Sequence, residues 1–165
     1  MLKTLHIENI AVIERADVEF SAGLSVLTGE TGAGKSIIID SLNAVLGNRV
    51  SRELVRSGAE RASVTASFES AQAERWCADN EIDADGGEII LQRRISTDGK
   101  STGRVNGVPV TASQLRELGA LLLDIHGQND GRQLLDERRH LDYLDAFGEC
   151  GEALAAYRET YDAYR

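Results

Sequence analysis

Apolar and polar residues alternate along the first part of the chain with the two-residue period of strands. Residues 2–8 alternate imperfectly and read as a first strand; Ala16 to Phe20 reads as a second, with Val18 and Phe20 on one face and Asp17 and Glu19 on the other. Ser21-Ala22-Gly23 turns the chain into Leu24–Thr28, a short apolar, β-prone run that ends at Gly29. The period then changes. Ile37 to Leu46 is apolar enough for a buried helix, and Gly47 is placed to cap its C-terminus. A polar, arginine-bearing connection leads to about Arg61. From Ala62 to Glu69, Val64, Ala66 and Phe68 alternate with Ser63, Thr65 and Ser67, as in an amphipathic strand.

Gln72 to Asn80 reads as a short helix carrying Trp76, and Asp83 to Gly87 as a loop. Glu88–Ser96 and Thr102–Asn106 form a hairpin around the Asp98-Gly99 turn signal, and Asn106-Gly107 makes a second turn. Thr111, with Ser113 as the weaker candidate, is an N-cap for a helix through about Leu122. Leu121 to Ile125 reads as a buried strand running into His126-Gly127-Gln128. From Gln133 onward the chain reads as helical, with Leu154, Tyr157, Tyr161 and Tyr164 at three- and four-residue steps; the start of a coiled coil and a surface helix packed on the domain both fit this seam.

Between the strand expected at Leu24–Thr28 and the helix lies Gly29-Glu30-Thr31-Gly32-Ala33-Gly34-Lys35-Ser36, which satisfies the phosphate-loop pattern G-x-x-x-x-G-K-S/T at every fixed position. Each residue type has a physical task there. Glycines let the backbone turn tightly and present N–H groups to an anion, and the helix start adds partial positive charge. Lys35 supplies a full cation for the β and γ phosphates, and the Ser36 hydroxyl is suited to ligate Mg²⁺. The expected ligand is ATP or GTP.

At 165 residues and 42% hydrophobic content, the sequence describes one globular domain with a sizeable core. No apolar run approaches a membrane span and the N-terminus lacks a signal-peptide profile, so a cytoplasmic protein with no membrane partner is expected. Cys77 and Cys150 are the only cysteines, and they form neither a zinc motif nor a disulfide framework. The net charge of -9, from 27 acidic and 18 basic residues, argues against a generally nucleic-acid-binding surface. Two arginine-rich stretches remain, Arg49 to Arg61 and Arg93 to Arg104, for which a solvated face is the default reading.

A nucleotide hydrolase also needs a carboxylate at the end of an apolar strand. Asp124 is a formal candidate, but Ile125 follows it where a glutamate is usual. Asp40 follows three isoleucines yet falls inside the helix, as a surface or interhelical carboxylate. His126 and Gln128 lie just past the expected strand, where a loop leaving a parallel sheet meets the ligand crevice; from spacing alone, Gln128 fits a turn or capping role equally well.

The opening Leu5-His6-Ile7-Glu8-Asn9-Ile10-Ala11, the phosphate loop, Val55-Arg56-Ser57-Gly58-Ala59, Arg104-Val105-Asn106-Gly107, Gln114 to Gly119 and Ile125-His126-Gly127-Gln128 together resemble the N-terminal part of the RecN family. These are bacterial SMC-like ATPases of double-strand-break repair. SMC and RecF proteins share the opening and the phosphate loop but match the middle less well.

The resemblance implies an α/β fold of the ABC/SMC head type: an N-terminal lobe with a mixed sheet, a β-rich subdomain and helices, ending in the root of a coiled coil. Residues 1–132 would form the lobe and 133–165 the helical segment leading into the coil. ATP and Mg²⁺ are the implied cofactors. Gln128 matches the family's glutamine loop, which reaches the metal and the attacking water, and Asp124 is thereby displaced as the strand-end carboxylate. Arg56 matches an arginine near nucleotide or DNA, and Asn9 to Ala11 the adenine side.

The sequence contains no LSGGQ-like signature and no apolar strand ending in Asp-Glu, which the family places in a C-terminal lobe beyond the coil. The implied partners are therefore DNA, that lobe of the same head, and a second head in an ATP-engaged homodimer, in a nucleoid-associated setting. A nucleotide-responsive assembly module without turnover and a small phosphate-loop phosphotransferase are the alternatives.

Overall fold

The computed structural model describes residues 1–28, 34–125 and 140–165. Met1–Leu123 and Asp124–Arg165 are two compact units. In the first, the strands are β1 (Leu2–Ile10), β2 (Ile13–Glu19), β3 (Arg61–Glu69), β4 (Glu88–Ser96), β5 (Ser101–Val105) and β6 (Val108–Val110), and the helices α1 (Gly34–Val45), α2 (Ala71–Asp79) and α3 (Ala112–Leu122). Among the described residues the strands form one six-stranded sheet, ordered β2-β1-β3-β4-β5-β6, with each neighbouring pair antiparallel.

One sheet face is apolar by alternation. Leu5 and Ile7 of β1, Val64, Ala66 and Phe68 of β3, Ile89, Leu91 and Ile95 of β4, and Val105 of β5 are all buried. α1 packs on β1, β3 and β4, and α3 packs on β5 and α2, so the helices cover this face. Full burial of a side chain such as Phe68 is worth about 1.5–3 kcal/mol. Arg93 is the exception, only 4% exposed among these apolar neighbours. Its Nη2 donates to Ser101 Oγ at 2.8 Å while Nε and Nη1 have no hydrogen-bond partner among the described residues. Burial, with nearby Arg116, pulls its pKa down.

α3 starts where its cap dictates. Gln114 N–H donates to Thr111 Oγ1 at 3.2 Å, and Thr111 N–H donates to Gln114 Oε1 at 3.0 Å, a reciprocal capping box that excludes Ser113 as the cap. The Asn106-Gly107 turn is likewise built by side-chain chemistry. Asn106 accepts from Ile90 N–H at 2.7 Å and donates to Asp83 O at 2.6 Å, tying the turn to the loop before β4.

Several elements differ from the pattern-based expectation. β2 begins at Ile13 rather than Ala16, because Ile10 pairs with Ile13 across a tight turn and brings the polar Glu14-Arg15 into the hairpin. β6, only three residues long and containing Pro109, carries too little alternation to be seen in advance. Leu24–Thr28 is no strand: Leu24, Val26 and Leu27 are 92%, 70% and 41% exposed, and none of the described strands pairs with them. Leu121–Ile125 is corrected too. Leu121 and Leu122 complete α3, and residues 123–125 join none of the described strands. An apolar run becomes a strand only where a neighbour takes its backbone hydrogen bonds.

In the second unit, α4 (His140–Phe147) and α5 (Gly151–Tyr164) are joined by a turn with Glu149 at φ 51°. The Tyr157 and Tyr161 rings stack at 6.0 Å between centroids, one step of the expected seam. Residues 133–139 lie outside the described residues.

The outer sheet face holds a pH-sensitive contact. His6 of β1 bonds through Nδ1 to Asp17 Oδ1 of β2, and its Nε2 lies 3.1 Å from Glu8 Oε1. Two carboxylates facing both ring nitrogens favour the imidazolium, so the pKa of His6 is raised, chiefly by the Asp17 hydrogen bond. A raised histidine pKa gives stabilisation that is complete below the unfolded value, roughly 6.5, and lost as pH climbs through the folded value. The contribution of this contact to melting temperature should therefore fall as pH rises above the unfolded value, roughly 6.5, and His6→Ala should flatten that slope.

Candidate functional site

Lys35 and Ser36 stand on the first, solvent-exposed turn of α1. The opening N–H groups of a helix have no intrahelical acceptor and sit at the positive end of its dipole. No acidic side chain occupies that first turn. The arrangement suits an anion: an open cluster of donors, a lysine, and a hydroxyl able to join a metal's oxygen shell.

What holds this turn in place is the rest of α1. Ile37, Ser41, Leu42, Ala44 and Val45 are buried on the sheet, and Ser41 Oγ donates to Ile37 O at 2.6 Å, so the hydroxyl is satisfied inside the helix. The far end is fixed against α3. Gly47 ends the helix at φ +89°, and a Cβ there would lie 2.5 Å from Arg116 N and 2.8 Å from Leu115 C. A Cβ on Gly119 would lie 2.7 Å from Leu46 O. The two backbones touch where neither glycine has a side chain, and Arg116 Nη2 donates to Gly47 O at 3.4 Å.

Of the other expected site residues, Gly34 opens α1 beside Lys35, while Gly29, Glu30, Thr31, Gly32 and Ala33 lie outside the described residues, as do His126 and Gln128. Asp40 is exposed on α1, as its helical position implied. Asp124 is exposed and follows a helix instead of a strand, which removes the geometric basis for reading it as a strand-end carboxylate. Arg56 is committed to the backbone: Nη1 donates to Val12 O at 2.7 Å and its N–H donates to Asn9 O at 2.9 Å. Ala11 N–H donates to Leu54 O at 2.8 Å, so segments 9–11 and 54–56 are stitched together. Asn9 and Ala11 hold positive φ in that junction, at 53° and 47°. Sequence reading found Arg56 but not this contact, since nothing local links it to a turn forty-four residues away.

Comparison with known proteins agrees with this fold and motif. A family model described as an AAA domain matches residues 4–149. The chain is 48% identical over 169 residues to the DNA repair protein RecN of Bacillus subtilis, covering 99% of this chain and 29% of that protein. It is 42% identical over 168 residues to RecN of Vibrio cholerae, covering 100% of this chain and 30% of that protein. The chain thus spans about 30% of the length of the curated relatives it matches. Among solved structures, the Smc head domain with a coiled coil and joint from Pyrococcus yayanosii superposes with a TM-score of 0.68 at 22% identity, over 96% of this chain and 35% of that one. An exposed lysine-serine turn on a core-anchored helix, a sheet like that of SMC heads and identity along nearly the whole chain converge: this chain belongs to the AAA domain family, as a homologue of the N-terminal part of the DNA repair protein RecN.

Proposed function

We propose that this chain is the ATP-binding lobe of an SMC-like ATPase that acts in DNA double-strand-break repair and recombination through ATP-dependent engagement of two heads on DNA. The observation that carries the reading is the exposed first turn of α1, where Lys35 and Ser36 stand at the positive end of a helix whose body is buried on the sheet. Lys35 would bind the β and γ phosphates, Ser36 would hold Mg²⁺, and Gln128 would orient water. Bound Mg-ATP supplies a phosphoanhydride whose cleavage depends on positioning and charge stabilisation.

The exposed run Leu24-Ser25-Val26-Leu27 supports a complementary lobe. Apolar side chains such as Leu24 and Val26, two residues apart and left open to solvent just before the phosphate loop in sequence, are what a neighbouring sheet would cover. In this reading residues 1–132 are the lobe, residues 133–165 lead into a coiled coil, and the catalytic carboxylate and the signature loop come from outside the chain.

The test is ATP turnover by this chain alone and after addition of the C-terminal lobe of the same head. The chain alone should bind ATP with little turnover, and the added lobe should raise the rate by at least about 100-fold, the scale of one charge-stabilising group. Rapid turnover by the chain alone would overturn the split-head account.

A further inference from the structure

The sheet face opposite the helices carries a polar cleft of about 300 Å³ that the nucleotide reading does not use. Its floor is formed by the half-buried Ser63 and Thr65 of β3 and Gln92 of β4, and its rim by Arg61 and Arg94. The register brings these together. Arg94 lies directly across from Ser63, and Arg61, two residues before Ser63 on the same strand, lies diagonal to it on the same face. Diagonal neighbours in an antiparallel pair are about 7–8 Å apart, close enough for two long side chains to share one ligand.

The charges are unbalanced at this spot. Among the described residues neither the Arg61 nor the Arg94 side chain makes a hydrogen bond or an ion pair, their main chains being paired in the sheet. The one carboxylate on the cleft wall, Glu8, is engaged by His6 Nε2 at 3.1 Å. Two adjacent guanidinium groups without a counter-charge are unusual in a chain of net charge -9. A bound anion would relieve their mutual repulsion.

We infer that this cleft is a phosphate-binding site, distinct from the first turn of α1, in which Arg61 and Arg94 clamp the phosphate oxygens and Ser63, Thr65 and Gln92 supply neutral hydrogen bonds. Phosphate suits this donor set better than carboxylate. Guanidinium forks bind its oxygens in pairs, and its additional oxygens accept from the hydroxyl and amide groups of the floor. The phosphate comes either from a nucleic-acid backbone or from a small free anion, and the experiment separates the two.

Inorganic phosphate is titrated into the isotope-labelled chain carrying Lys35→Ala, which silences the α1 site, and backbone amide shifts are followed. Shifts at Ser63, Thr65 and Gln92 that vanish in an added Arg61→Glu/Arg94→Glu pair are expected; no shift at those amides overturns the proposal. In parallel, a fluorescent DNA oligonucleotide is titrated by anisotropy at several salt concentrations. If the backbone is the source, the double reversal weakens binding at least about 10-fold and lowers the salt slope by about one to two. If only the phosphate shifts are lost while oligonucleotide affinity is kept, the source is a small anion. Arg75→Glu on the exposed face of α2 is the charge control, and an equal loss from it would show a general charge effect and overturn the site. Both arginines are exposed and unpaired, so the reversed chain should melt within a few degrees of its parent. Arg61→Lys/Arg94→Lys, which keeps the charge but loses the fork, should retain intermediate affinity.

Discussion

Lys35→Ala should weaken ATP binding by about 10- to 100-fold, the loss expected for one charge-assisted contact of about 1.5–3 kcal/mol. Lys35 is exposed at the start of α1, and the helix is anchored through Ile37, Ser41, Leu42, Ala44 and Val45, so truncating the lysine should leave the melting temperature nearly unchanged. That separation gives the experiment its force. Calorimetric titration of ATP reports the site while thermal unfolding reports the fold, and affinity should fall without loss of stability. Unaltered affinity in a folded variant would remove the basis of the nucleotide assignment. Ser36→Ala should be milder and should show itself as a weakened dependence of ATP binding on Mg²⁺.

The second large effect is structural. Gly47→Ala places a methyl group 2.5 Å from Arg116 N and 2.8 Å from Leu115 C, both main-chain atoms that cannot rotate aside. It also forces a side chain onto a residue at φ +89°. Left-handed backbone costs about 1–2 kcal/mol for a residue with a Cβ, and overpacking of this kind about 1–3 kcal/mol more. A total of about 2–5 kcal/mol is a large part of the 5–15 kcal/mol that holds a typical domain together. Thermal unfolding should show a drop on the order of 10 °C, at about 2–4 °C per kcal/mol for a protein this size. A drop of less than about 2 °C would mean that α1 and α3 part easily, and that the start of α1 is less firmly placed than the packing indicates.

Those two residues also show what could be read in advance. Lys35 was legible because phosphate chemistry restricts residue types at fixed spacing, and Gly47 because helix ends have a local grammar. β3, β4 and α3 were legible for similar reasons: Val64, Ala66 and Phe68 alternate cleanly, Asp98-Gly99 makes the hairpin turn, and Thr111 with Gln114 caps the helix. Leu24–Thr28 and Leu121–Ile125 were misread as strands because apolarity says that a segment prefers cover but does not say what provides it. The break between α4 and α5 at Gly148 to Cys150 escaped notice inside an otherwise helical composition. At the level of the site, Arg61 and Arg94 belong to different stretches of sequence, and only the β3–β4 register places them side by side. Arg56 was found by resemblance, while its bond to Val12 O follows from a fold contact with no sequence signature.

The strand order carries a consequence for how the molecule comes into being. β1 and β2 are joined by a tight hairpin and β3 through β6 follow one another in sequence, but β1 meets β3 only across the span that holds the phosphate loop and α1. Short-range pairings form sooner than long-range ones because less chain entropy is lost in closing them. The hairpin and the later strands are thus the early pieces, and α1 gains its seat when they dock. A polypeptide emerging from the ribosome would acquire its grip on nucleotide only after Glu69 has cleared the exit tunnel, well after the lysine itself has been made.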